Sequence, residues 1–181
     1  MNLEQSLTRV REIVLISFLS ILLTVGKLIL ASIPNIEVVS FLFIVYTVVL
    51  GFKRTFVISI IFTTVEILIW GFGVWTIGYY VFWPVLIIIA SLLKNRIKTE
   101  LGWAVVSGLY GLSFGLLFAL YTAPLTKVNV FAYWLAGIQF DVVHMIGNFI
   151  VMITLYKPVK ATLEKQYSKY TTNGRHKKNR I

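Results

Sequence analysis

The chain has 181 residues, of which 58% are hydrophobic and 13% charged, with a mean hydropathy of +0.85. A water-soluble domain of this size carries far more polar surface, so the composition specifies an integral membrane protein. With no cysteine it is excluded from disulfides, thiolate metal sites and cysteine nucleophiles, and although its net charge is +10, the placement of that charge argues against nucleic acid as a partner.

Six apolar segments, 13–31, 38–50, 55–70, 77–93, 101–121 and 131–156, are expected to be membrane-spanning α-helices. The second, third and fourth fall short of the about 20 residues that cross a hydrocarbon core of about 30 Å. The first has the basic start of a signal peptide, but Lys27 interrupts its end and no A-x-A cleavage site follows. Arg9 and Arg11 precede it, Lys53 and Arg54 follow the second segment, and Lys94, Arg96 and Lys98 follow the fourth. Lys157, Lys160, Lys165, Lys169, Arg175, Lys177, Lys178 and Arg180 follow the sixth. Those alternate connections hold fifteen of the 17 basic residues, leaving Lys27 and Lys127 for the other side. The positive-inside rule then places both termini in the cytoplasm. The expected organisation is one six-helix domain over 1–158 and a basic cytoplasmic tail over 159–181, helical at first and then fraying, attracted to anionic lipid.

On the first segment Ser17, Ser20, Thr24 and Lys27 share an arc of about 80°, a seam on which a neighbouring helix can approach closely. Lys27 has three readings: an ion pair with Glu66 or Asp141, snorkelling, or ligand contact. The connection after Ile33 reads Pro34-Asn35-Ile36-Glu37, a turn-favouring run. The third segment brings Glu66, with Thr63 and Trp70 on its face. Trp70-Gly71-Phe72-Gly73-Val74-Trp75-Thr76 then reads as an outer loop able to fold over a cavity, followed by Tyr79, Tyr80 and Trp83. Such aromatics form an interfacial belt in many membrane proteins, and their flat faces also suit a planar ring ligand.

On the fifth segment Gly108, Gly111 and Gly115 alternate with Ser107, Tyr110 and Ser113, a packing face from which Tyr110 can turn its hydroxyl into a cavity. The sixth carries the most telling pattern. Asp141, His144 and Asn148 fall within an arc of about 60° of an apolar helix, a stripe extended by Trp134 and Gly137. An ionisable group at membrane depth costs at least about 2.5 kcal/mol and needs a partner, water or a ligand. A structural network, a ligand-binding face and proton-transfer chemistry by Asp141 and His144 all remain open at this point. There is no G-x-x-x-x-G-K-[ST] loop and no H-E-x-x-H, and His176 is far from His144, so neither ATP hydrolysis nor a metal site has sequence support.

Lys27 to Ser40 (KLILASIPNIEVVS), the Gly51-Phe52-Lys53-Arg54 turn, Trp70 to Thr76, and Phe140 to Asn148 (FDVVHMIGN) leading to Leu155-Tyr156-Lys157-Pro158 together carry a resemblance. On these residues the chain resembles the substrate-specificity subunits (S components) of energy-coupling factor (ECF) vitamin transporters, over most of its length up to the tail. The resemblance implies a multi-pass protein of the bacterial cell membrane, non-catalytic and without a cofactor, that captures a water-soluble vitamin or precursor from outside. Its partners would be a transmembrane coupling protein and two cytoplasmic ATPases. The family carries Ala-x-x-x-Ala on the first helix for docking, where this chain has Ser17, Ser20 and Thr24, with Ile21 four residues after Ser17.

The expected site comprises Asn35, Glu37, Glu66, Trp75, Tyr79, Trp83, Tyr110, Asp141, His144 and Asn148, in the outer halves of spans four to six under the 34–37 and 71–76 loops. Trp75, Tyr79 and Trp83 would contact a ring, and Asp141, His144 and Asn148 would supply directional hydrogen bonds. The aromatic boundary favours a small planar heterocycle of pyridoxine or hydroxymethylpyrimidine type, with a cobalamin-like or queuosine-precursor ligand as the alternative. An intramembrane enzyme and a standalone channel or carrier are the readings from other classes.

Overall fold

The computed structural model describes residues 3–178, with side chains described for 5–170. The chain is all-helical: α1 (Leu3–Leu30), α2 (Val39–Leu50), α3 (Phe52–Trp70), α4 (Val74–Leu93), α5 (Glu100–Thr126) and α6 (Val130–Lys178). Four of them, α1, α4, α5 and α6, are long and apolar enough to cross a membrane. α3 has the length but carries Lys53, Arg54 and Glu66, and α2 has only 12 residues. At 1.5 Å per residue α2 is about 18 Å long, well under a hydrocarbon core of about 30 Å.

Its sequence explains where α2 sits. VSFLFIVYTVVL is apolar on every side, and such a helix must be surrounded. Val39, Phe43, Ile44, Val45 and Tyr46 are buried, and α2 touches each of the other five helices. A short helix at the centre of longer ones cannot fill the bundle from end to end. At its N-terminal end the 31–38 connection turns inward over the space that remains.

The bundle therefore has two unlike ends. The loop end carries the α1–α2, α3–α4 and α5–α6 connections. The tail end carries the α2–α3 and α4–α5 connections, the start of α1 and the extension of α6. The α2–α3 connection is the single residue Gly51, whose φ of +85° is a left-handed conformation that side chains disfavour.

α5 and α6 form the most extensive helix pair. The glycine face explains it: a Cβ on Gly111 would stand 2.9 Å from the His144 carbonyl oxygen, and one on Gly108 would stand 3.3 Å from that of Met145. Expectation and structure agree on this face.

The tail differs from the expected fraying. α6 runs on through Pro158 to Lys178. Val159, Leu163 and Tyr167, one face at a spacing of four, pack against the buried core. The Arg54 guanidinium lies 5.5 Å over the Tyr167 ring and donates from Nε to Glu12 Oε1 at 2.6 Å, while the Tyr170 hydroxyl donates to Glu12 at 3.5 Å. The tail thus clasps the start of α1 and the α2–α3 turn. Of the other tail cations, the side chains of Arg175, Lys177 and Lys178, and that of His176, lie outside the described residues, as does Arg180.

The outer surface of the bundle is apolar. Ile13, Phe18, Ile21 and Ile29 on α1, Leu109 on α5 and Phe131 on α6 are all exposed, a surface suited to lipid. Ser20 and Thr24 are buried within the bundle, and the Ser20 hydroxyl donates to the Ile16 carbonyl at 2.8 Å. Of the three small residues expected at a docking face, only Ser17 is exposed.

Candidate functional site: a two-lobed cavity at the loop end

Beneath the α1–α2 connection lies a cavity of about 260 Å³. Lys27, Asn35, Glu37, Tyr79, Trp83 and His144 contribute to its lining, with Phe114 and Phe140. A second cavity of about 310 Å³ adjoins it, lined by Trp75, Trp134, Gly137 and Asp141 among others. Tyr79, Phe114 and Phe140 line both, so these three rings form a shared wall between two lobes.

The roof of the first lobe is held by Glu37. Val38 offers α2 no side-chain cap, and Glu37 supplies one: its carboxylate accepts from the Val39 and Ser40 backbone N–H groups. A negative charge there also complements the helix dipole. His144 Nε2 approaches Glu37 Oε1 at 3.4 Å, tying the roof to α6. Burial alone would raise the Glu37 carboxyl; the hydrogen bonds from His144 and Ser40 outweigh it and hold the group below the ordinary carboxylate range. Asn35 adopts a left-handed φ of +63°, and its carbonyl oxygen would lie 3.1 Å from a Cβ on Gly147, so the roof rests directly on α6.

Lys27 forms an ion pair with Glu66, which settles its partner between the two candidates. Its ammonium also lies 5.3 Å over the Tyr79 ring and 5.7 Å over that of Phe62. The aromatic wall is a continuous edge-to-face run, with Trp75–Tyr79 centroids 5.1 Å apart and Tyr79–Trp83 centroids 5.3 Å apart. Phe114 and Phe140 bracket His144 at 5.3 and 5.7 Å.

Asp141 is fully buried at the edge of the second lobe. Its Oδ1 accepts from the Gly115 N–H at 2.8 Å and its Oδ2 from Trp134 Nε1 at 3.1 Å. Only glycine permits this: a Cβ at 115 would fall 2.4 Å from Oδ1. With both oxygens so engaged, Asp141 makes no hydrogen bond to His144, and the two do not form an acid–base dyad.

Seven of the ten expected site residues thus line the cavity: Asn35, Glu37, Tyr79, Trp83 and His144 in the first lobe, and Trp75 and Asp141 in the second, which shares Tyr79. Three others line neither lobe. Glu66 supports Lys27 from behind, and Tyr110 donates to the Phe82 carbonyl at 2.5 Å rather than turning into a cavity. Asn148 donates to the Ser107 carbonyl at 3.5 Å, fixing α6 on α5. Of the expected 71–76 cap only Trp75 lines the cavity, because α4 begins at Val74 and only three residues connect it to α3. Thr76 Oγ1 accepts from the Gly73 N–H and holds the turn tight, and Trp70 and Phe72 face outward. In place of the rest of that loop α1 contributes Lys27 and Leu30, and the connection after it Ala31.

The rings of Phe114 and Phe140 were missed by sequence reasoning. Each had a signal: Phe114 is one turn beyond Tyr110 on the glycine face, and Phe140 one turn before His144. Apolar residues on an apolar helix do not distinguish a cavity wall from a lipid contact.

Among the described residues no group of three His, Cys, Asp or Glu side chains is placed to hold a metal ion. A comparison of the chain with protein-family models, with curated proteins and with solved structures finds no match.

Proposed function

We propose that this protein is a membrane-embedded substrate-binding subunit of the ECF type, which captures a small, planar, water-soluble heterocycle at its loop end. The observation that carries this reading is the two-lobed cavity itself. It combines flat aromatic walls with Glu37, His144 and Asp141, and a bundle stabilised only for its own sake gains nothing from leaving such groups around a void. Its lobes suit a compound of one or two rings of the pyridoxine or hydroxymethylpyrimidine kind, and are too small for a cobalamin.

The distribution of basic residues supports placing the loop end outside and both termini in the cytoplasm, with α2 and α3 completing a six-helix crossing. The cavity then opens to the compartment from which a nutrient arrives. Binding would draw the Pro34–Glu37 connection down onto the ligand, excluding water. Release inward requires a second state of lower affinity, because a ligand bound equally in both states shifts nothing. The chain has no nucleotide-binding loop, so the coupling protein and two ATPases of an ECF complex would supply that energy in the bacterial cell membrane. Ser17 and the exposed apolar residues beside it on α1 are the surface available to such a partner. No covalent chemistry is required of any residue.

Mass spectrometry of small molecules that co-purify with the detergent-solubilised chain tests the reading. The expected result is one heterocycle recovered in stoichiometric amount and returned chemically unchanged. Conversion of the compound by the isolated chain would point to an enzyme, and ATPase-independent flux in liposomes to a carrier; either result would overturn the proposal.

A further inference from the structure

We infer that the ligand of the two-lobed cavity is a planar heterocycle carrying a positive charge, a statement that rests on the cavity being the binding site. Charge is the first support. Glu37, Glu66 and Asp141 are gathered at the loop end of a chain whose net charge is +10. Lys27 neutralises Glu66 in their ion pair behind the wall, and neither Glu66 nor Lys127, at the end of α5, lines a lobe. With that pair set aside, Glu37 and Asp141 remain on the lining, and even a protonated His144 leaves them in excess by two to one.

Among the described residues this excess is local. Glu12 is paired with Arg54, Glu100 with Lys157 and Glu164 with Lys160. Among the described residues no lysine or arginine pairs with Asp141, and its two oxygens accept from neutral N–H groups. Two such bonds keep a buried carboxylate in place but bring it no opposite charge, and in a surround of low dielectric a carboxylate favours a cation in the adjoining lobe.

The walls supply the second, independent support. Lys27 already lies over the Tyr79 ring, so the shared wall accepts a cation on its face within the chain itself. Trp75 and Trp134 extend comparable faces along the second lobe beside Asp141.

The third support is a pair of polar atoms. His144 is 3% exposed, lines the first lobe, and its Nδ1 has no partner among the described residues. With Nε2 donating to Glu37, Nδ1 of the neutral ring is an acceptor. Trp83 Nε1, on the same lobe, is likewise a buried donor without a partner. A heterocycle with an N–H group and a ring acceptor satisfies both, and a protonated or quaternised ring nitrogen answers the carboxylates.

Three probes of nearly the same shape separate charge from size: the 1-methylnicotinamide cation, neutral nicotinamide and the nicotinate anion. Binding to the full chain in lipid nanodiscs would be read by calorimetry and tryptophan fluorescence. The cation is expected to bind at least about tenfold more tightly than nicotinamide, a difference of about 1.4 kcal/mol, with nicotinate weakest. Asp141→Asn, and Glu37→Gln as a second variant should the first fail to fold, are each expected to narrow the gap between cation and neutral probe. Equal or tighter binding of nicotinamide or nicotinate, lost in Tyr79→Ala, would overturn the charge inference and leave the cavity as the site. A gap unchanged in both charge variants would also overturn it. Failure of all three probes to bind would overturn both readings.

Discussion

At the scale of single residues, Gly115 and Lys27 are the positions where sequence and site are most tightly bound together. Gly115 lets the Asp141 carboxylate reach the α5 backbone, and a methyl group there has nowhere to go. Gly115→Ala is expected to destabilise the protein by about 1–3 kcal/mol through overpacking, despite the better helix propensity of alanine. Gly108→Ala, whose Cβ would meet its nearest neighbour at 3.3 Å, is expected to stay within about 1 kcal/mol of wild type. Thermal unfolding in one detergent compares the two, and equal effects would contradict the close approach. Lys27→Ala leaves Glu66 fully buried without its cation, at a cost of about 2–4 kcal/mol. Lys27→Met combined with Glu66→Gln is expected to recover most of that loss, and a double variant worse than the sum of the singles would show that the pair is not the source.

The residue-level pattern was legible to unequal degrees. The Asp141–His144–Asn148 stripe announced itself, because polar residues at helical spacing in an apolar segment have few bland explanations. Its division of labour was not legible: Asp141 and His144 face the cavity while Asn148 turns to the Ser107 carbonyl, a difference of one helical turn that periodicity cannot resolve. Tyr110 was misjudged for the same reason. A hydroxyl satisfied by a carbonyl of a neighbouring helix looks, in sequence, like one free for a ligand.

At the scale of elements, two segments outside the spans do more than connect. The 31–38 connection is anchored through Glu37, whose pKa is lower in the folded protein than in the unfolded chain. Its contribution is therefore complete above the unfolded value of about 4.3 and is lost as pH falls through the depressed folded value. Hydrogen exchange at Val39 and Ser40 is expected to accelerate below that range in wild type, and to be fast already at neutral pH in Glu37→Gln. Exchange insensitive to both would contradict the capping role. The second segment is the start of the tail. Leu163→Ala and Tyr167→Ala are each expected to cost about 1–3 kcal/mol, because they uncover the core and the Arg54–Glu12 pair. Lys165→Ala, on the exposed face, is expected to change nothing measurable. The tail was read from its sequence as a polar extension because its lysines dominate the composition. The Val159, Leu163 and Tyr167 spacing was present there, but what it packs against is set by α1 and the α2–α3 turn, remote in sequence.

For the whole molecule, the sequence conveyed the class and the helix count because apolar runs of this length have one economical fold. It could not convey that α2 lies at the centre with the other five around it, which is the reason a cavity exists at the loop end. Orientation in the membrane is open to direct test, since the chain has no cysteine of its own. Single cysteines introduced at Lys53, Arg96 and Lys165 are expected to react only with reagent admitted to the cytoplasmic side, and those at Asn35 and Lys127 only with reagent outside. Labelling of both sets from one side would contradict the orientation.

The claim on which the account turns is that the shared aromatic wall holds the ligand. The most direct measurement is the affinity of the co-purified heterocycle for wild type, Tyr79→Ala and Trp83→Ala, each checked for intact folding. Loss of one stacking face is expected to weaken binding at least about tenfold in either variant. Undiminished affinity in both, with the fold preserved, would contradict the account.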